Sequence, residues 1–176
     1  VMVADMVGYS RLMETDEEAV LVRQKAHRKE LIDPEITRYR GRIVKTTGDG
    51  MLVEFSSAVD AVNCTTEIQT AMAERNEGVA ESKRMQFRIG INLGEIIIDT
   101  DGDIFGDGVN IAARLEAMTK EVGVEVLVSD AVLEAAGIET APLDLVTLDL
   151  RGVRAQVRAL ALRRATGIDA LLAVPA

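Results

Sequence analysis

Much of what this chain lacks bears directly on what it can do. Its 176 residues contain a single cysteine, Cys64, so no intramolecular disulfide can form and a cysteine-ligated zinc site is excluded. A reducing compartment is the expectation, with Cys64 a small core residue of a helix. No apolar run comes near the roughly 18 residues of a membrane span, and the opening Val1-Met2-Val3-Ala4 stops at Asp5, too short for a signal peptide. The chain therefore reads as cytoplasmic, without membrane contact from this segment; tethering or regulatory domains outside it stay open. Positive charge is in the minority, with 20 Lys and Arg against 29 Asp and Glu, a net −9. Such a surface repels a phosphate backbone and argues against a nucleic-acid binder. A polyanionic substrate would have to meet local cations or metal ions. The only histidine, His27, falls among Lys25, Arg28 and Lys29 and reads as a helix-surface residue.

What is present suits one compact domain, since 48% of the residues are hydrophobic. Val1 to Ala4 reads as a buried strand. A helix follows, with Thr15 as N-cap and Glu18 completing a capping box, running towards Asp33-Pro34. Residues 41–47 and 51–55 read as a hairpin joined through Gly48-Asp49-Gly50, with Met51, Val53 and Phe55 alternating onto one face. Ala58, Ala61, Val62, Thr65, Ile68 and Met72 recur at helical spacing, and Met85, Phe87, Ile89 and Ile91 alternate in a strand. Residues 95–99 read as a further strand, 100–108 as a Gly/Asp loop, and 109–120 as a helix. A strand over 124–128, a short helix over 130–136 and a last hairpin, 145–150 with 157–162, complete the pattern. The order over the first 92 residues predicts an α+β fold with a ferredoxin-like βαββαβ core and extra strands and helices. The domain is expected to span 1–165, with 166–176 a C-terminal tail or linker.

In that topology Asp5, at the end of the first strand, lies beside Asp49 in the hairpin turn, with Gly8 at the strand-to-helix turn. Two carboxylates so placed can share a pair of hard cations such as magnesium, whereas either alone is an ordinary turn or strand terminator. Asn110 and Arg114 are four apart and share one helical face, which is a solvated stripe in the bland reading and a site for developing phosphoryl charge in the chemical one. Lys45 lies in the otherwise apolar strand Ile43-Val44-Lys45, four residues before Asp49. Several motifs fail. Asp99-Thr100-Asp101-Gly102-Asp103 opens like a calcium loop but has Ile104 where glycine is needed and Asn110 in place of the closing glutamate. Gly106-Asp107-Gly108 begins a dinucleotide fingerprint that ends at Ile111, and no phosphate-loop Gly-Lys-Ser/Thr occurs.

Taken together, these segments resemble class III nucleotidyl cyclases over nearly the whole chain. Asp5-Met6-Val7-Gly8-Tyr9-Ser10 is similar to that family's first metal motif, and Lys45-Thr46-Thr47-Gly48-Asp49-Gly50 to its lysine and second-metal segment. Asp103 through Glu116 is similar to its Asp-x-x-Gly…Val-Asn-x-Ala-x-Arg segment. The resemblance implies an adenylate cyclase that makes cyclic AMP and pyrophosphate from ATP using two divalent ions, Mg²⁺ or Mn²⁺. It implies that Asp5, Asp49 and the Met6 main-chain carbonyl hold the ions, that Lys45 and Asp103 read adenine, that Asn110 orients the ribose and that Arg114 stabilises the transition state. Arg151, before Gly152 in the last hairpin, stands roughly where the family has a basic phosphate anchor. It further implies a homodimer in which one subunit supplies the metal carboxylates and the other Lys45, Asp103, Asn110 and Arg114. Gly90-Ile91-Asn92-Leu93-Gly94 departs from the family's Gly-Ile-His-Thr-Gly, and Val122-Gly123-Val124 lacks its paired glycines, but neither change removes a catalytic group. A guanylate cyclase and a catalytically silent dimerisation module are the alternatives. A diguanylate cyclase or polymerase palm would share the core, but the first would carry a Gly-Gly-Asp/Glu-Glu-Phe hairpin where this chain has Thr47-Gly48-Asp49-Gly50-Met51.

Overall fold

The computed structural model describes residues 1–153 and 155–163, so the expected tail at 166–176 lies outside the described residues. Strand β1 (Met2–Met6) turns through Gly8, at φ 66, into helix α1 (Tyr9–His27). The chain continues through a π-helical turn (Arg28–Ile32) into α2 (Asp33–Arg38). Then come β2 (Arg42–Thr47), β3 (Gly50–Glu54), α3 (Ala58–Arg75) and β4 (Phe87–Ile91). The second half holds β5 (Ile97–Ile98), β6 (Ile104–Phe105), α4 (Asp107–Val122), β7 (Val126–Ser129), α5 (Asp130–Ala135), β8 (Leu145–Leu148) and β9 (Val157–Leu162).

Seven strands form one sheet in the order β2-β3-β1-β4-β7-β9-β8. Its first four strands are antiparallel throughout, which is the split βαβ arrangement expected from the sequence. Strand β7 joins β4 in parallel, and β9 and β8 extend the sheet antiparallel. Side-chain alternation gives the sheet two working faces. Met2, Met6, Phe87, Ile89, Ile91, Val126 and Val128 fill the core on the α3 side, whereas Leu115, Leu127 and Ala159 form a second cluster under α4. Val3, Asp5, Arg88 and Gly90, one step out of phase, therefore face α4. That helix crosses β4 so closely that a Cβ on Gly90 would run into the main chain at Ala112 and Glu116. A β-carbon there would lift α4 off the sheet.

Local expectations shift in three places. The cap in the first helix is Asp16, not Thr15: Asp16 leaves helical geometry at φ −164, ψ 84, and its Oδ1 accepts a hydrogen bond from the Ala19 N–H at 3.1 Å. Thr15 instead donates its hydroxyl to the Arg11 carbonyl. The helical course does resume at Asp33-Pro34, an outcome the sequence left open, with Pro34 in the first turn of α2. The strand expected at 95–99 shrinks to two residues, paired with β6 in a separate ribbon inside the expected loop. His27 is half-buried, and its Nε2 has no hydrogen-bond partner among the described residues. Burial, then the Arg75 and Arg23 charges, lower its pKa. Cys64 is buried as expected, with its thiol pushed up to about 12, chiefly by desolvation. Among the described residues no helix is long and apolar enough to cross a membrane.

Candidate active site

Strand β1 delivers Asp5 to the α4 face, and the β2–β3 turn brings Asp49 beside it. Asp5 is held above its ordinary pKa, first by desolvation and then by the Asp49 charge, with Arg88 opposing. Two carboxyls this close disfavour each other's charge, and a divalent cation between them would offset that cost. Gly50 leaves the room such a cation needs, since a Cβ there would stand 3.2 Å from Asp5 Oδ1 and 2.8 Å from Thr47 Oγ1. The Met6 side chain is buried in the core, so only its main chain can serve the site. Among the described residues no group of three or more His, Cys, Asp or Glu side chains could hold a metal, so the set is limited to two carboxylates supplemented by main chain. The donors fit a divalent ion that completes its shell with water and phosphate oxygens.

Arg88 and Glu116 stand behind Asp5. Arg88 Nη2 lies 3.7 Å from Asp5 Oδ2, and Arg88 Nε lies 3.4 Å from Glu116 Oε1. Arg88 Nε and Glu116 Oε1 are both buried, and neither makes a hydrogen bond among the described residues. Burial, then the Asp5 charge, raises Glu116 to about 7, with Arg88 opposing and Asp49 adding. Sequence reasoning missed both residues. The available signal was the β4 alternation, which sets Arg88 out of phase with Phe87 and Ile89 and hence on the Asp5 face.

Lys45 Nζ donates to both Asp103 oxygens, at 2.9 and 2.7 Å, joining β2 to the segment before β6. That bond holds the Asp103 carboxyl below its usual pKa. Arg42 supports the arrangement, pairing with Glu54 at 2.6 Å and donating to the Gly102 carbonyl at 2.7 Å. A cleft of about 290 Å³ is lined by Asp5, Lys45 and Thr47 from the sheet and Val109, Ala113 and Glu116 from α4. A larger cleft of about 450 Å³ near Gln69, Asn76 and Arg84 contains none of these residues.

Asn110 and Arg114 do not line the carboxylate cleft. Val109, Ala113 and Glu116 take the cleft-facing side of α4, and Arg114, off that side, meets the β8–β9 turn. There Gly152, at φ 76, lets the turn close on the Arg114 guanidinium, because a Cβ would stand 3.1 Å from both Nη atoms. Arg114 Nη1 is buried without a hydrogen-bond partner among the described residues. Arg151 is exposed in the same turn. Asp5 and Lys45 thus line the cleft, with Asp49 beside the one and Asp103 bonded to the other, while Arg114 meets the Gly152 turn elsewhere.

The model of the adenylate and guanylate cyclase catalytic domain family matches residues 1–158. A putative adenylate cyclase 3 of Rhizobium meliloti is 48% identical over 126 residues, 72% of this chain, and the chain spans about a fifth (21%) of that relative's length. Among solved structures, an adenylate/guanylate cyclase/hydrolase from Silicibacter pomeroyi is 46% identical with a TM-score of 0.75, covering 90% of this chain and 92% of its own. The guanylyl cyclase Cya2 is 26% identical with a TM-score of 0.74, covering 91% and 88%.

Proposed function

The chain belongs to the adenylate and guanylate cyclase catalytic domain family, and from that membership we propose that residues 1–165 convert ATP to 3′,5′-cyclic AMP and pyrophosphate at sites shared between two subunits of a homodimer. The observation that carries this reading is the adjacent Asp5 and Asp49 carboxyl pair beside a cleft lined by Gly50. Asp5, Asp49 and the Met6 carbonyl would hold two divalent ions, Mg²⁺ or Mn²⁺. When bound, these acidify the ribose 3′ hydroxyl and neutralise the departing pyrophosphate. Asn110 orients the ribose so that its 3′ oxygen lies in line with the α-phosphorus, and Arg114 donates to the phosphoryl oxygens as charge gathers on them. Arg151 anchors the terminal phosphates. In a chain of net −9, these guanidiniums supply the positive charge that a triphosphate requires.

Two observations support a site split between protomers. Asn110 and Arg114 are absent from the cleft that their own chain's Asp5 lines, and Arg114 Nη1 lacks a partner that a phosphate oxygen would supply. Lys45 lines its own chain's cleft, so it is the family resemblance, and not this geometry, that assigns Lys45 and Asp103 to the nucleotide held on the partner's carboxylates. An ammonium donor 2.7 Å from a carboxylate acceptor matches a ring nitrogen beside the exocyclic amine of adenine. Guanine inverts that pattern and leaves both groups unpaired, so ATP is the expected substrate. The test is turnover of the purified chain with ATP and with GTP, in Mg²⁺ and in Mn²⁺, with chromatography of the product. Cyclic AMP formed at higher kcat/KM than cyclic GMP supports the proposal. Equal efficiency removes the adenine reading, and no cyclic product with either nucleotide removes the enzymatic one.

A further inference from the structure

Arg88 stands opposite Asp5 in the β1–β4 ladder. Its guanidinium lies between two carboxylates on the α4 face of the sheet and is well placed for neither, at 3.7 Å from Asp5 and 3.4 Å from Glu116. The three side chains come from different elements, β1, β4 and α4, and are mostly shielded, with 34%, 20% and 13% of their side-chain surface exposed. Leaving Arg88 Nε and Glu116 Oε1 buried and unbonded is costly, and a shift on the order of an ångström would close a proper charge-assisted bond to one side or the other. Asp5 and Arg88 are direct cross-strand partners in the β1–β4 ladder, so the approach is fixed by register rather than by a mobile loop.

We propose that Glu116 is a positioning residue for the divalent-ion site, acting through Arg88: it draws the guanidinium away from Asp5 and so leaves that carboxylate free to ligate metal. The inference rests on the reading of Asp5 and Asp49 as metal ligands. Without Glu116, Arg88 has only one carboxylate to pair with, and it competes with the incoming cation for Asp5. With Glu116 present, the cation displaces a guanidinium that already has a second partner. Glu116 also sits on the helix that carries Asn110 and Arg114, so the same contact ties the metal half of one site to the helix that serves the other.

The experiment is titration of the metal-free chain with Mn²⁺ alone, free ion being counted by electron paramagnetic resonance, for the wild type, Glu116→Gln, Arg88→Gln, the double variant and Asp49→Ala. The expected result is that Glu116→Gln weakens Mn²⁺ binding roughly tenfold, as loss of an outer-shell partner does. Arg88→Gln should tighten binding by removing the competitor. Glu116→Gln added to Arg88→Gln should change it by less than about twofold, since the carboxylate then has nothing to act through. Glu116→Asp should recover part of the loss. Unchanged binding in Glu116→Gln overturns the proposal, as does an equal loss with and without Arg88, which would mean that Glu116 acts by its own charge or ligates the ion itself. Weaker binding in Arg88→Gln overturns it too. If Arg88→Gln does not fold, judged by its melt, Arg88→Met serves in the cycle, because its long apolar side chain fills similar space without a charge to compete for Asp5. If Asp49→Ala binds Mn²⁺ as well as wild type, the metal reading itself fails, an outcome separate from a normal Asp49→Ala loss with an unaffected Glu116→Gln.

Discussion

Glu116 makes the stability of the metal-free protein depend on pH. Its folded-state value of about 7 lies above the ordinary 4.5, so the folded chain holds the proton more tightly than the unfolded one. The stability from this group is fully present below about pH 4.5 and is lost as pH rises through about 7, a loss on the order of 3 kcal/mol at most. Melts in EDTA at pH 5 and pH 8 should therefore show a fall for the wild type that is smaller in Glu116→Gln. Identical profiles would mean that Glu116 titrates normally. Asp49→Ala probes the neighbouring pair. Removing one of two adjacent carboxyls relieves their mutual repulsion, so the metal-free melting temperature should hold or rise while turnover drops to background. An Asp49→Ala protein that melts normally and turns over at the wild-type rate would refute the metal assignment.

Helix α4 is the element on which the site depends, because its sides meet different parts of the fold: Val109, Ala113 and Glu116 close the carboxylate cleft, and Arg114 meets the β8–β9 turn. Its depth on the sheet is set at Gly90, where the strand and helix backbones meet without a side chain between them. Gly90→Ala should destabilise the chain by about 3 kcal/mol, the upper range for overpacking, because the neighbours it strikes are backbone and cannot rotate away. A denaturant midpoint unchanged from wild type would contradict that packing. The alternation of Met51, Val53, Phe87, Ile89 and Ile91 made the ferredoxin-like half legible in the sequence, since each strand there has one clearly apolar face. The β5–β6 ribbon was not legible, as two residues are too few to establish a period. Thr15 and Asp16 are both competent caps, and only the position of the backbone break distinguishes them. Asp5, Asp49, Lys45 and Asp103 could be placed from motif and topology. Arg88 and Glu116 could not, because their meaning depends on a β1, β4 and α4 contact between residues far apart in the chain.

At the scale of the whole molecule, each site of the proposed dimer needs residues from both protomers. The β5–β6 ribbon exposes Ile97, Ile98 and Phe105 at 69%, 58% and 47%, with Leu93 at 51%, an apolar surface that a second copy would cover. Activity should fall on dilution as the dimer separates. The most direct measurement mixes two inactive parents, Asp49→Ala and Arg114→Ala, under conditions of verified subunit exchange. Each homodimer lacks a needed group in both sites, whereas the mixed dimer has one site with both lesions and one with none. Random reassortment makes about half the dimers mixed, so the account predicts recovery of roughly a quarter of wild-type activity. A fully exchanged mixture no more active than its parents would contradict it.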